Sequence, residues 1–206
     1  DTQRVKGIPI LWWRKIPQLA GMKSIIDNGL VKDVSALRIL KLGHKTDCLK
    51  EIIYQEFDIC MWFTGSYIDY VYAISAGENA FNIIAKMKNN IVCTFELATI
   101  LDEYEEIVNH HEVITAYGIV SDKVVDTQIN QSAVYLYNSE LNCKTYNDID
   151  NTLYGFEKDD ILKARFAFDV LKDSFDVENL PEHGRQLERI VDSVFQSAEN
   201  NCKVYL

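Results

Sequence analysis

Between Tyr67 and Tyr137 the chain passes through one strand-like run after another, and this series limits the folds open to it. The runs are Tyr67–Ala76, Ala80–Lys88, Ile91–Thr99, Val113–Val120 and Ala133–Tyr137, with Lys123–Gln128 as a shorter candidate. Each is rich in β-branched and aromatic residues, which fit a pleated, half-buried surface. Lys88-Asn-Asn90 reads as a hairpin turn, because Asn tolerates positive φ. Strands joined by tight turns become antiparallel neighbours.

Helical patterns bracket the series. Pro17 to Asn28 starts with a Pro suited to a first turn, carries Leu19, Met22, Ile25 and Ile26 on one face, and closes at Asn28-Gly29. Asp159 to Phe175 and Glu182 to Glu199 repeat the helical spacing near the end of the chain. Strands in series between helices indicate an α+β fold: a large, mostly antiparallel sheet with helices on one face and the other face open. Three further segments read as strands. They are Gly7 to Trp13, with Pro9 marking an edge, Val34 to Leu42, and a last short one at Lys203 to Leu206. No repeat or linker divides the sequence, so residues 1–206 read as one domain. Tyr67, Tyr70, Tyr72, Tyr117, Tyr135 and Tyr137 fall in or beside the strands. They fit either a subunit interface on the open face or ordinary cross-strand packing.

The run Glu51 to Gly65 is a helix with two faces. Ile52, Ile53, Phe57, Met61 and Trp62 form the apolar one. Glu51, Gln55 and Asp58 follow at i, i+4 and i+7 on another stripe, and Gly65 ends the helix. Such a polar stripe either lines a small-molecule site or is a solvated face. Arg14, after Trp12-Trp13, fits a carboxylate or phosphate partner, or a structural ion pair. His44 ends a strand just before this helix, where it suits either ligand contact or the surface. His110-His111 would point to opposite sides of a strand and chelate nothing together; we read them as loop or strand-edge residues. His183-Gly184 reads as part of the cap of the last helix.

Several function classes drop out. A net charge of -10 with no basic run argues against a nucleic-acid surface. No run is apolar enough to span a membrane. There is no G-x-G-x-x-G, no Walker-type loop, no H-E-x-x-H and no zinc spacing, so no metal site is expected. Cys48, Cys60, Cys93, Cys143 and Cys202 are odd in number and contain no C-x-x-C. That pattern favours free thiols in a reducing compartment, the cytoplasm. The apolar fraction of 48% suffices for a core without disulfide or metal staples.

Taken in order, the segments resemble the C-terminal domain of the glucose–fructose oxidoreductase/inositol dehydrogenase/MocA-type family. Arg14-Lys-Ile-Pro17 followed by Met22 to Gly29 resembles its R-x-x-P helix and terminal turn. Glu51-x-x-x-Gln55-x-x-Asp58-x-x-x-Trp62-x-x-Gly65 resembles its D-x-x-x-H-x-x-D-x-x-x-W-x-x-G helix. Met87 to Val92 resembles its hairpin, and Ile114 to Gly118 a strand ending in Gly. Glu182-His-Gly184, Ser197-Ala-Glu199 and Val204-Tyr-Leu206 resemble its final helix and strand.

The resemblance implies a two-domain parent. Its N-terminal Rossmann domain, upstream of Asp1, would bind NAD or NADP, and this chain alone would bind neither. The chain would supply the substrate-side wall, for a sugar- or polyol-like molecule, and an oligomerisation sheet for self-association. The resemblance marks Glu51 and Gln55 as catalytic positions and matches Asp58 to an Asp of mainly structural role; with Arg14 and His44, Asp58 completes our candidate substrate-binding set. Gln55 stands where the family's acid–base His would be, and an amide is no general base near neutral pH. A non-catalytic binding or dimerisation module that kept the fold is the alternative.

Overall fold

The computed structural model describes residues 8–122, 133–137, 144–147, 158–172 and 179–206. A 3-10 turn at Trp12–Lys15 leads into α1 (Pro17–Asp27), β1 (Val34–His44) and α2 (Leu49–Thr64). Strands β2 (Ile68–Ser75), β3 (Ala80–Met87), β4 (Val92–Leu101), β5 (Val108–Thr115), β6 (Gly118–Ser121), β7 (Ala133–Tyr137) and β8 (Lys144–Asn147) follow. Then come α3 (Lys158–Leu171), α4 (Leu180–Asn200) and β9 (Val204–Tyr205). The strands form one sheet in the order β8-β7-β6-β5-β1-β4-β3-β2-β9. Every neighbouring pair is antiparallel except β1 with β4, which run parallel with Leu37 opposite Cys93.

This is the α+β, mostly antiparallel architecture expected from the strand series. Consecutive strands pair within β2-β3-β4 and within β5-β6-β7-β8, but β4 and β5 are separated by β1. The link between them, Asp102 to Ile107, is long enough for the chain to step over a strand.

Burial alternates along the strands as a one-sided sheet requires. Leu37 and Ile39 of β1, Val71 and Ala73 of β2, and Cys93 and Phe95 of β4 are almost wholly enclosed. Arg38, Ile74 and Ile84, on the opposite face, stand in the open. Helix α2 covers the enclosed face near β1 and β4, where Phe57 stacks on Phe95 with centroids 4.4 Å apart and planes 13° from parallel. Helix α4 lies across β2. Its buried Ser197 accepts the Ala73 N–H at 2.9 Å and donates to the Cys202 carbonyl at 2.6 Å, so helix, strand and C-terminal turn share one hydroxyl. Burying a side chain the size of Phe57 contributes about 1.5–3 kcal/mol.

Helix ends follow local chemistry. Pro17 opens α1, and Gly65 closes α2 with φ 61°, its N–H bonding the Met61 carbonyl at 2.9 Å. Asn90, φ 70°, makes the expected β3–β4 turn.

Some boundaries differ from the sequence reading. Residues 8–11 form no strand, and Trp12 and Trp13 belong to the 3-10 turn. Pro9 has no N–H to give a ladder. The run Val113–Val120 is two strands: β5 starts earlier, at Val108, and turns through Ala116 and Tyr117 into β6. There Thr115 Oγ1 accepts the Tyr117 N–H and donates to the Gly118 carbonyl. The candidate strand Lys123–Gln128, and the end of the helix read to Phe175, lie outside the described residues.

Candidate substrate cleft

The first turns of α2 face the 3-10 turn and α4 across a cleft of about 430 Å³. Trp12, Trp13 and Tyr54 form its aromatic wall, and Glu51, Gln55, Glu188 and Asp192 supply most of its polar lining. Glu51 is exposed and Gln55 half-buried, so both side chains are reachable. The Lys50 ammonium sits 5.3 Å from the Phe195 ring centroid. The cleft therefore offers hydrogen-bond acceptors, one amide and flat apolar faces. That set suits a hydroxylated ring better than an anion.

Behind the wall, Asp58 organises three elements. The Trp13 Nε1–H donates to its Oδ2 at 2.6 Å, as does the Arg14 Nε–H at 2.9 Å. Arg14 Nη2 donates to Oδ1 at 2.5 Å, and His183 Nε2 stands 2.5 Å from the same oxygen. An ionised carboxylate only accepts, so His183 carries its proton on Nε2. Burial alone would raise the Asp58 carboxyl. Hydrogen bonds from His183 and Arg14, the Arg14 charge and the Trp13 indole more than offset it and hold the group below the usual carboxylate range. The Arg14 guanidinium also lies 5.6 Å from the Trp62 ring centroid. Tyr54 is pushed up to about 12, first by burial and then by the negative charges of Asp58 and Glu188, so it stays a neutral phenol in the cleft.

A second buried cluster ties α2 to the sheet one residue past Gln55. Glu56 accepts from Lys41 Nζ at 3.0 Å and bonds His111 Nε2 at 2.9 Å. His111 Nδ1 bonds Asp122 at 2.6 Å. Two carboxylates on two ring nitrogens require an imidazolium. Burial would lower His111, but Asp122 and Glu56 overcome it and raise the ring to about 10. Burial would raise Glu56, yet Lys41 and His111 bring it down to about 2.

The structure thus brings Glu51 and Gln55 together in the cleft and sets Arg14 and Asp58 behind it, bonded to each other. His44 lies apart, at the end of β1, with its Nε2 2.9 Å from the Glu105 carbonyl oxygen. His110 and His111 do face opposite sides. They are neither loop nor edge residues, since they pair with Leu40 and Ile39 inside the sheet. His183 is not a cap but a ligand of Asp58 from the first turn of α4. The sequence reading missed the convergence of Trp13, Arg14 and His183, and the Lys41–Glu56–His111–Asp122 cluster. Their partners are too far apart in sequence for any local signal, apart from a glutamate and an aspartate inside the apolar run of α2. Among the described residues no group of three or more His, Cys, Asp or Glu could hold a metal ion, and no helix is long and apolar enough to cross a membrane.

No protein-family model matches the sequence, and no curated protein matches it. Solved structures do match. A putative oxidoreductase from Thermotoga maritima superposes with a TM-score of 0.74 at 14% identity, over 97% of this chain and 63% of that one. An oxidoreductase from Agrobacterium radiobacter, solved with NAD+, L-tartaric acid and magnesium, gives 0.76 at 10% identity, over 96% and 64%. Scyllo-inositol dehydrogenase from Lactobacillus casei, solved with NAD(H) and scyllo-inositol, gives 0.68 at 15% identity, over 95% and 63%. The chain has the fold that the resemblance to the inositol-dehydrogenase-type family implies, and it spans less than two thirds of the length of these oxidoreductases.

Proposed function

We propose that residues 1–206 are one domain, the substrate-side part of a cytoplasmic NAD(P)-dependent oxidoreductase acting on a sugar- or polyol-like molecule. The observation that supports this most is the position of Glu51 and Gln55. They stand side by side in an aromatic-walled cleft, on the helix that resembles the family's catalytic one. A nicotinamide cofactor would supply the hydride chemistry. The cleft does not fit the cofactor's pyrophosphate, because Glu51, Glu188 and Asp192 outnumber Lys50 there. We assign cofactor binding to an upstream Rossmann domain, and this chain alone binds no NAD(H).

In this reading Trp12 and Trp13 hold the C–H face of the substrate, and Gln55 hydrogen-bonds a hydroxyl. Glu51 accepts the hydroxyl proton that a His at the Gln55 position would take. Arg14 and Asp58 act on the substrate through Trp13, whose indole Asp58 fixes, and His44, held on the Glu105 carbonyl, is left out of the binding set. The second reading, a binding or dimerisation module without chemistry, is favoured by one observation: Gln55 cannot serve as a base. In both readings the open sheet face mediates self-association. It carries a shallow concavity of about 530 Å³, and Ile74 and Ile84 on it are 55% and 45% exposed.

The deciding experiment assays the whole protein with NAD+ and NADP+ against a panel of cyclic polyols and aldoses, following reduced nicotinamide. Turnover that Glu51→Gln lowers by about 100-fold or more supports the enzyme. Polyol binding to this domain with no turnover by the whole protein leaves the module.

A further inference from the structure

Cys60 of α2 and Cys93 of β4 meet in the core with their sulfurs 3.2 Å apart. Both residues are fully buried, and Met87 Sδ lies 3.8 Å from Cys60 Sγ. They are 33 positions apart in sequence and belong to different layers, a helix and the sheet beneath it. Cys93 stands between Leu37 and Ala85 on neighbouring strands, so the contact falls within the sheet and not at its rim.

We propose that this pair is an oxidation site, at which a peroxide links Cys60 to Cys93 in a disulfide that bolts α2 to the sheet. In the first step one thiol gives its sulfur electron pair to a peroxide oxygen. The O–O bond breaks, the sulfur becomes a sulfenic acid and water leaves. In the second step the other thiol attacks that sulfur, the S–O bond breaks, a second water leaves and the S–S bond forms. Two thiols are oxidised, and one peroxide is reduced to two waters. A disulfide bond is about 2.05 Å long, so the sulfurs need to approach by about 1.1 Å. A sulfenic acid on either cysteine already touches the thiol that would resolve it.

Burial, with Cys93 as neighbour, raises the Cys60 thiol well above its ordinary value and keeps it protonated. The pair should therefore respond more slowly than the exposed Cys48 and Cys202. The helix held by the new bond is the one that presents Glu51 and Gln55 to the cleft, but the proposal does not depend on what the cleft binds.

The test uses the chain with Cys48→Ser, Cys143→Ser and Cys202→Ser, leaving only the pair, exposed while folded to hydrogen peroxide. We expect the intact mass to fall by about 2 Da. A dithiothreitol-sensitive link should join the peptides that carry Cys60 and Cys93, and the melting temperature should rise by about 5 °C. Addition of two or three oxygens to one sulfur with no link would overturn the proposal. So would an unchanged mass after an exposure about a hundredfold longer than Cys48 needs to oxidise in the unsubstituted chain. If the triple variant does not fold, the unsubstituted chain is first alkylated with N-ethylmaleimide at its accessible thiols, and the same mass readout applies.

Discussion

Asp58 and His183, 125 positions apart in sequence, face each other at 2.5 Å and join α2 to the first turn of α4. Arg14 and Trp13 complete the group from the 3-10 turn. One buried carboxylate therefore sets how three elements meet behind the cleft. Asp58→Ala would leave a guanidinium, an indole N–H and an imidazole N–H facing an empty site. We expect a loss of about 3–5 kcal/mol, seen as a lower urea midpoint with little change in slope. Arg14→Lys should also destabilise, because an ammonium cannot reproduce the two-nitrogen grip. A wild-type midpoint for Asp58→Ala would show that the group is ornamental.

The His111 cluster makes stability depend on pH in two directions. His111 rises from 6.5 to about 10 on folding. The folded chain then binds more protons than the unfolded one between those values. Its contribution is complete below pH 6.5 and is lost as pH rises toward about 10. Glu56 falls from 4.5 to about 2. Its contribution is complete above pH 4.5 and is lost as pH drops toward about 2. Denaturant unfolding across pH 6.5 to 10 should show stability declining. His111→Gln should start lower and decline less steeply. Equal slopes in the two proteins would remove His111 as the source.

If the open face joins two copies, a charge at its centre should separate them. Ile84 is 45% exposed on β3 and lines the concavity. Ile84→Glu should leave the melting temperature within a few degrees of wild type while shifting sedimentation toward monomer. A wild-type chain that sediments as a monomer at high concentration ends this line.

In the whole protein, Gln55→His should leave any dehydrogenase rate unchanged or raise it, because it restores a titratable ring at a position already open to the cleft. A fall of about tenfold or more in kcat with unchanged KM would instead give Gln55 a positioning role of its own.

Much of the fold was legible because period and punctuation are local. The alternation through β2, β3 and β4, the Asn90 turn and the Gly65 stop each follow from a handful of adjacent residues. The cleft was half legible for the same reason. Glu51 and Gln55 share a helix face by spacing alone, whereas Glu188 and Asp192 come from a helix whose placement no spacing reveals. The insertion of β1 between β4 and β5, the grip of His183 on Asp58, and the burial of Glu56 with His111 are all decided by packing across long stretches of chain. In such stretches a charged residue reads as surface until its partner is known.

The parallel contact of β1 with β4 has a consequence for how the molecule comes together. Strands β2 to β4 and β5 to β8 are two runs in which sequential strands are neighbours, and β1 is the seam that joins them. Leu37 must find Cys93 in one run and Val113 in the other. Both searches close long loops, and their entropy is lost before the contacts return anything. Assembly should therefore be limited by the docking of a single strand, and amide exchange in β1 should report the cooperative opening of the whole sheet.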